Sequence, residues 1–129
     1  MTHILQGRVV VEGHAEGLAL VTDQPIGFLG GVDPETGVVI ERGHPLEGQS
    51  IAGRILAFPY GKGSTVGSYV LYRLAKAGLA PLGIINAESE PIVAVGALIS
   101  DIPMVDQVDI SLLRTDMRVA IEGGVIRYA

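Results

Sequence analysis

Residues 54–86 constrain the fold most, because they combine two continuous apolar runs with an amphipathic stretch between them. The runs at 54–58 and 82–86 do not alternate with polar residues, which is typical of strands buried on both faces. Between them, apolar positions from Val66 to Ala77 recur at helical spacing, and Gly78 is a suitable residue to follow a helix end. The segment therefore predicts a β-α-β unit, with parallel strands and a right-handed crossover.

The rest of the chain predicts further strands around this unit. At the C-terminus, two β-type runs flank Gly123-Gly124, a strong hairpin signal. The apolar run 92–99 fits a strand or a short helix equally well. The other predicted elements are strands at 4–11, 17–21, 26–29 and 38–40, and an Asp-Pro turn at 33–37. The prediction is a single α/β domain over residues 1–129, rich in β-structure, with one central helix after a glycine-rich loop.

Composition narrows the classes of function. The net charge of −5 and only nine basic residues argue against nucleic-acid binding. No apolar run approaches the roughly 20 residues of a membrane span, and the N-terminus lacks the features of a signal peptide, so we expect a cytoplasmic protein without a membrane partner. The chain has no cysteine, which excludes thiol nucleophiles, disulfides and cysteine metal sites within it. We expect no metal ligand in this chain.

The glycine loop at 61–65 is the main candidate for chemistry. It lies between a predicted buried strand and the N-terminus of the predicted helix, where unpaired N–H groups and the helix dipole favour an anion. Gly61 and Gly63 would let the backbone approach a ligand, and Lys62 adds a positive charge. Ser64 or Thr65 would cap the helix or present a hydroxyl to a bound molecule.

The same loop also fits a purely structural role. A glycine-rich turn with a Ser or Thr cap is ordinary in α/β domains. The residue spacing alone therefore fits a structural turn and a ligand site equally well. The P-loop pattern is absent because Lys62 is followed by Gly63. The dinucleotide fingerprint is missed by one residue, since the third glycine is Gly67, and a nucleotide-binding dehydrogenase module is the weaker alternative.

The remaining polar residues carry weaker signals. The histidines lack metal-ligand spacing and are expected to be surface or loop residues. Four acidic residues lie close together in the sequence, and a solvated edge explains them as well as acid–base work does. The histidines are His3, His14 and His44, and the acidic residues are Glu88, Glu90, Asp101 and Asp106.

Several motifs taken together resemble one family. In chain order they are Gly30-Gly31-Val32-Asp33-Pro34-x-Thr36-Gly37, His44-Pro45-Leu46-x-Gly48, Gly61-Lys62-Gly63-Ser64-x-x-Gly67-Ser68, Glu90-Pro91-Ile92 and residues 100–106. They resemble the small-subunit or swivel domain of the aconitase X family, and they cover most of the chain. The Gly-x-Gly-Ser core is also similar to the serine loop of ordinary aconitases, where the serine is the catalytic base.

This resemblance implies a swivelling β/β/α domain that docks on a large subunit carrying an iron–sulfur cluster. It implies a dehydratase that removes water from a small hydroxy acid, with Ser64 as the catalytic base and the chain inactive without its large subunit. Gly61, Lys62, Gly63, Thr65 and Ser68 would bind the substrate or its anionic groups, although Ser68 fits a plain helix position equally well. A helix terminus contributes at most about 2 kcal/mol, so Lys62 and charges of the large subunit must help to stabilise a serine alkoxide.

The resemblance leaves the substrate open. The residues that follow Ser64 are more similar to family members that convert (R)-5-phosphomevalonate to trans-anhydromevalonate 5-phosphate in an alternative mevalonate pathway of isoprenoid biosynthesis. The alternatives are the small subunit of a cis-3-hydroxyproline dehydratase, in which a cysteine is expected near position 65, and a non-catalytic swivel domain that binds an anion.

Overall fold

A computed structural model describes residues 3–129 of the chain. Eight strands form one mixed sheet, in the order β1-β8-β7-β3-β4-β5-β6-β2. The strands are β1 (His3–Gln6), β2 (Arg8–Val11), β3 (His14–Val21), β4 (Ile55–Phe58), β5 (Gly83–Asn86), β6 (Met104–Asp106), β7 (Arg118–Glu122) and β8 (Val125–Tyr128). The helical elements are α1 (Phe28–Gly31), which is a single kinked turn, α2 (Gly67–Lys76), α3 (Pro91–Ile99) and a 3₁₀ turn at Ile110–Leu112.

The predicted β-α-β unit is confirmed. Strands β4, β5 and β6 are parallel, and helix α2 connects β4 to β5. Every residue of β4 is buried because the sheet is covered on both faces. Leu56 and Phe58 belong to one apolar core together with residues of α2 and α3, whereas Ile55 and Ala57 belong to a second core with residues of β7 and β8.

The predicted strand 4–11 is wrong as a single element, since it breaks at Gly7 into β1 and β2. These two strands lie at opposite ends of the strand order, so the sheet curls into a nearly closed barrel. A Cβ atom at Gly7 would overlap the Val105 side chain and the Asp106 carbonyl oxygen, and the Gly7 N–H donates to the Gly124 carbonyl at 2.8 Å. Close packing against β6 therefore requires glycine at position 7, between β1, which pairs with β8, and β2, which pairs with β6.

Two further predictions need correction. The run 26–29 forms no strand: Ile26 makes an isolated bridge to Gly61, and α1 follows. Residues 38–40 also form only isolated bridges, in a loop that spans 32–50. The predicted turn at 33–37 is confirmed, with Gly37 at φ 76° and its N–H bonded to the Asp33 carbonyl.

The segment 92–99, which the sequence left open, is helical and adds a second full helix to the predicted central one. Glu90 caps α3, because its carboxylate accepts hydrogen bonds from the backbone N–H groups of Ile92 at 2.9 Å and Val93 at 2.7 Å. Pro91 occupies the first turn, where its missing N–H has no cost. The predicted hairpin is formed by β7 and β8. No helix within residues 3–129 is both long and apolar enough to cross a membrane.

Candidate active site around the glycine loop

The glycine loop follows the carboxyl end of β4 and is fixed to the segment before α1. The Lys62 N–H donates to the Ile26 carbonyl at 3.0 Å, and the Ile26 N–H donates to the Tyr60 carbonyl at 3.3 Å. The loop therefore lies at the edge of the sheet where ligands bind in many α/β folds.

Gly61 is buried, and its packing explains why it is glycine. A Cβ atom at this position would overlap the carboxylate of Glu90 and the side chain of Val93. The loop is thus in direct contact with the N-terminus of α3. Internal packing accounts for Gly61 without a ligand.

We expect Gly61→Ala to destabilise the isolated chain by about 1–3 kcal/mol, the usual cost of overpacking. Thermal unfolding measures the effect. Gly31→Ala is the matched control, since Gly31 has no positive φ and a Cβ atom there would meet only Oε1 of Glu41, at an ordinary contact distance of 3.7 Å. Equal stability losses in the two variants would contradict the packing argument.

Ser64 is exposed and lies three residues before the first residue of α2. Its hydroxyl oxygen accepts a hydrogen bond from the Val66 N–H at 3.2 Å, and its carbonyl accepts one from the Gly67 N–H at 2.9 Å. The N-cap position is occupied by Val66, which makes no side-chain cap bond. Neither Ser64 nor Thr65 is the N-cap residue, so the hydroxyl of Ser64 is held in a turn and faces solvent.

Unpaired backbone N–H groups occur at Ser64 and at its two neighbours in the chain. Within the described residues, the backbone N–H groups of Gly63, Ser64 and Thr65 donate no hydrogen bond. Gly63 has a φ of 93°, a conformation that a residue with a Cβ atom adopts only at a cost. Three consecutive unpaired donors ahead of a ten-residue helix form a suitable place for negative charge.

Ser68 is buried, and its hydroxyl donates to the Ile92 carbonyl at 2.6 Å. This bond ties α2 to α3. The structural role of Ser68, which the sequence weighed equally with substrate contact, is the one that this hydrogen bond supports.

The ammonium group of Lys62 pairs with a carboxylate of the loop 41–49. Its Nζ atom lies 3.0 Å from Oε2 of Glu41, in a half-exposed ion pair. The charge of Lys62 therefore contributes to a groove on the side of residues 41–45.

His44 is the first functional candidate whose environment the sequence did not reveal. It lies in a loop, as expected, but it is buried. The Leu46 N–H donates to Nδ1 at 3.0 Å, which places the ring proton on Nε2, and Nε2 donates to the Pro25 carbonyl at 3.1 Å. The imidazole thus joins the loop 41–49 to the segment before α1.

Asp106 is the second residue whose environment the sequence did not reveal. The sequence was compatible with a solvent-exposed position, whereas the structure buries the Asp106 side chain completely. Both carboxylate oxygens bind Arg8, at 2.9 Å and 2.7 Å, and Ser89 donates its hydroxyl at 2.6 Å. Burial raises the pKa of the Asp106 carboxyl, but the hydrogen bonds and charge of Arg8 and the bonds from Ser89 outweigh burial and leave the pKa below its usual 3.8. This ion pair fastens β2 to β6 beside the loop that carries Glu90.

Within the part of the chain that the structure describes, no three His, Asp or Glu side chains lie together in a way that could hold a metal ion. The residues around the glycine loop therefore provide hydroxyl, amide and ammonium groups, and no metal donor set.

An apolar groove begins at Thr65, the residue after Ser64, and Lys62 does not line it. It lies between α2 and α3, has a volume of about 470 Å³ and includes the exposed side chains of Val66, Tyr69, Val95 and Ile99. We call this surface the α2–α3 face. An exposed apolar surface of this kind is typical of protein–protein interfaces.

The motifs and the fold agree with comparisons to known proteins. The aconitase X swivel domain matches residues 4–128. A phosphomevalonate dehydratase small subunit of Thermococcus kodakarensis is 59% identical over 118 residues, which are 92% of this chain and 89% of that protein. A protein of the same name from Methanothrix thermoacetophila is 68% identical over 96 residues, 74% of this chain and 70% of that one.

The comparison of three-dimensional structures also indicates the aconitase X family. A crystal structure of Thermococcus kodakaraensis aconitase X in its holo-form superposes with a TM-score of 0.96 at 55% identity, covering 98% of each chain. The matched region includes the sheet, both full helices and the glycine loop. The chain belongs to the aconitase X swivel-domain family.

Proposed function

We propose that the chain is the small subunit of a phosphomevalonate dehydratase, a hydro-lyase that is active only with a large subunit. The names of relatives that are 59% and 68% identical support this substrate. The observation that carries the catalytic assignment is the exposed Ser64 hydroxyl beside three unpaired backbone N–H groups.

Loss of water from a 3-hydroxy acid breaks one C–H bond next to the carboxylate and one C–O bond, and it forms a C=C bond. A base must remove the proton from the carbon. Ser64 performs this role in the proposal, since its oxygen is exposed and the nearby N–H groups and the N-terminus of α2 favour the anionic form. The proton moves to Oγ of Ser64, the electron pair of the C–H bond forms the C=C bond, and the hydroxyl leaves the adjacent carbon with the electron pair of the C–O bond. An acceptor on the large subunit would take up this hydroxide, because the described residues of this chain offer no metal site.

The family resemblance also implies an iron–sulfur cluster, and the residues of this chain do not fit one. Such clusters are held by cysteine thiolates, and the chain contains no cysteine. Residues 3–129 also offer no alternative cluster of acidic or histidine ligands. We therefore assign the cluster to the large subunit and assign none of its ligands to this chain.

The α2–α3 face is the surface on which we place the large subunit. It includes Thr65, the residue after Ser64, so a partner seated there would lie next to the exposed hydroxyl and help to exclude water from the reaction. Tyr69 is 68% exposed in the middle of this face, as expected of a residue that fills a pocket on a partner.

Tyr69→Asp should weaken assembly with the large subunit about tenfold or more, because it places a charge in an apolar interface and removes an aromatic anchor. Analytical size-exclusion or interferometry of the two purified chains measures this affinity. Leu112→Asp is the control, since Leu112 is exposed on the 3₁₀ turn and does not line the α2–α3 face. Unchanged affinity in Tyr69→Asp would place the interface elsewhere.

The test of the proposed function is anaerobic co-purification with the large subunit, followed by a dehydration assay on mevalonate 5-phosphate and cis-3-hydroxyproline. Turnover of mevalonate 5-phosphate alone is the expected result. Turnover of only cis-3-hydroxyproline would keep the dehydratase and reject the substrate. Failure to retain a partner, with neither substrate converted, would favour an anion-binding domain without catalysis.

A further inference from the structure

A second groove, separate from the α2–α3 face, lies on the Lys62 side of the glycine loop. It has a volume of about 310 Å³ and is lined by residues 24–25, 41–45 and Lys62. Since one water molecule occupies roughly 30 Å³ in the liquid, the groove has room for a group much larger than a single water. Ser64 does not line this groove but lies only two residues after Lys62 in the chain, so the glycine loop connects the groove to the proposed base.

The groove contains a cation that the fold does not neutralise. Most cationic side chains among residues 3–129 have a carboxylate within 4.0 Å, but Arg42 has none and makes no hydrogen bond within the chain. Arg114 and Lys76 share this property but do not line the groove. Arg42 therefore presents an unpaired guanidinium to the groove, where binding an anion would compensate its charge.

The wall that carries Arg42 is held in place although it has no regular secondary structure. Buried His44 accepts from the Leu46 N–H and donates to the Pro25 carbonyl, and the Gly43 N–H donates to the Glu47 carboxylate at 3.0 Å. Opposite, Lys62 is fixed through its N–H to Ile26, the residue after Pro25. Both walls are thus anchored to one segment, so the distance between them is set before a ligand arrives.

Lys62 is the second cation of the groove, and its present partner is exchangeable. The Lys62–Glu41 pair is partly exposed on both sides, and exposed pairs of this kind contribute little to stability. A ligand with a higher negative charge than one carboxylate would compete for Lys62 while also binding Arg42.

We propose that this groove is the subsite for the phosphate group of the substrate, and that Arg42 is the residue that determines specificity for a phosphorylated hydroxy acid. The inference rests on the proposed function. A phosphate monoester carries a charge of about −1.5 to −2 at neutral pH and offers several oxygens to a guanidinium. Arg42 and Lys62 together match that charge once the ligand displaces Glu41 from Lys62, whereas the carboxylate of an unphosphorylated substrate would satisfy only one of the two cations.

The test uses the complex of the chain with its large subunit, comparing wild type, Arg42→Ala, Arg42→Lys and the control Arg114→Ala. For Arg42→Ala we expect KM for mevalonate 5-phosphate to rise about ten- to a hundredfold, with a smaller change in kcat. Competitive inhibition by inorganic phosphate should weaken in parallel. Arg42→Lys should recover part of the loss, because it restores the charge without the planar fork, and Arg114→Ala should match wild type.

The outcomes separate this inference from the proposed function. An active wild-type complex with unchanged KM and phosphate inhibition in Arg42→Ala would overturn the subsite and leave the function intact, and it would place the phosphate on the large subunit. A wild-type complex that does not convert mevalonate 5-phosphate would overturn the function, and the subsite with it.

Discussion

Ser64→Ala should lower turnover by the assembled enzyme about 10²–10⁴-fold, which is the usual contribution of a positioned general base. The expected loss lies in kcat, since the variant keeps the backbone N–H groups that favour a bound anion. Ser64 is exposed and its hydroxyl accepts only one hydrogen bond, from the Val66 N–H, so the stability of the chain should change little.

The assay for this variant is steady-state dehydration of mevalonate 5-phosphate, paired with a measurement of affinity for the large subunit. Ser111→Ala is the matched control, because Ser111 is also exposed and its hydroxyl bonds only to Asp109, the N-cap residue of its own 3₁₀ turn. Retained turnover in Ser64→Ala would reject Ser64 as the base. Loss of assembly would show instead that Ser64 acts in the interface.

Asp106→Asn should destabilise the chain by about 2 kcal/mol at neutral pH. Hydrogen bonds to charged groups contribute about 1.5–3 kcal/mol each, but the Arg8 side chain is 62% exposed and solvent reduces its share. For a domain of this size the change corresponds to roughly 5–10 °C in Tm. Asp116→Asn is the control, since Asp116 pairs with Arg54 but is 71% exposed, and its loss should cost less than about 1 kcal/mol.

This pair also predicts a pH dependence. Because the folded pKa of Asp106 lies below its unfolded value, its contribution is present above the unfolded pKa near 3.8 and is lost as the pH falls through the folded pKa. The difference in Tm between wild type and Asp106→Asn should therefore be largest near neutral pH and shrink below about pH 4. A difference that stays constant over this range would contradict an ionised Asp106.

Arg8→Leu should remove the same contribution from the other side of the pair. Arg8 lowers the pKa of Asp106 through its hydrogen bonds and charge, so this pKa rises when Arg8 is removed, while burial still raises it and the bonds from Ser89 still lower it. The stability that Arg8→Leu loses at neutral pH therefore depends on an ionised Asp106. The difference in Tm between Arg8→Leu and wild type should shrink as the pH is lowered below about 4, as measured by thermal unfolding.

The β-α-β unit and the C-terminal hairpin could be predicted because their signals are local. The run at 54–58, the helical spacing after Ser64 and Gly123-Gly124 each report on neighbours a few residues away. Helix α3 was ambiguous because its run is apolar on all sides. The cap formed by Glu90 and Pro91 is the local signal that distinguishes a helix there.

The features that the sequence could not predict depend on distant partners. The break at Gly7 depends on Val105 and Asp106, and the burial of Asp106 depends on Arg8, 98 residues away. The burial of His44 likewise requires the Pro25 carbonyl to lie beside it. The position of Ser64 in a glycine loop could be predicted. The packing of Gly61 against Glu90 could not, because it depends on α3 lying against that loop.

The most direct test of the central claim is a titration of this chain into a fixed amount of purified large subunit, with dehydration of mevalonate 5-phosphate as the readout. We predict no turnover by either chain alone, and activity that rises with added chain until the large subunit is saturated. The Ser64→Ala chain should bind with the same saturation and restore no activity. Full activity of the large subunit by itself would contradict the claim that this chain provides the catalytic base.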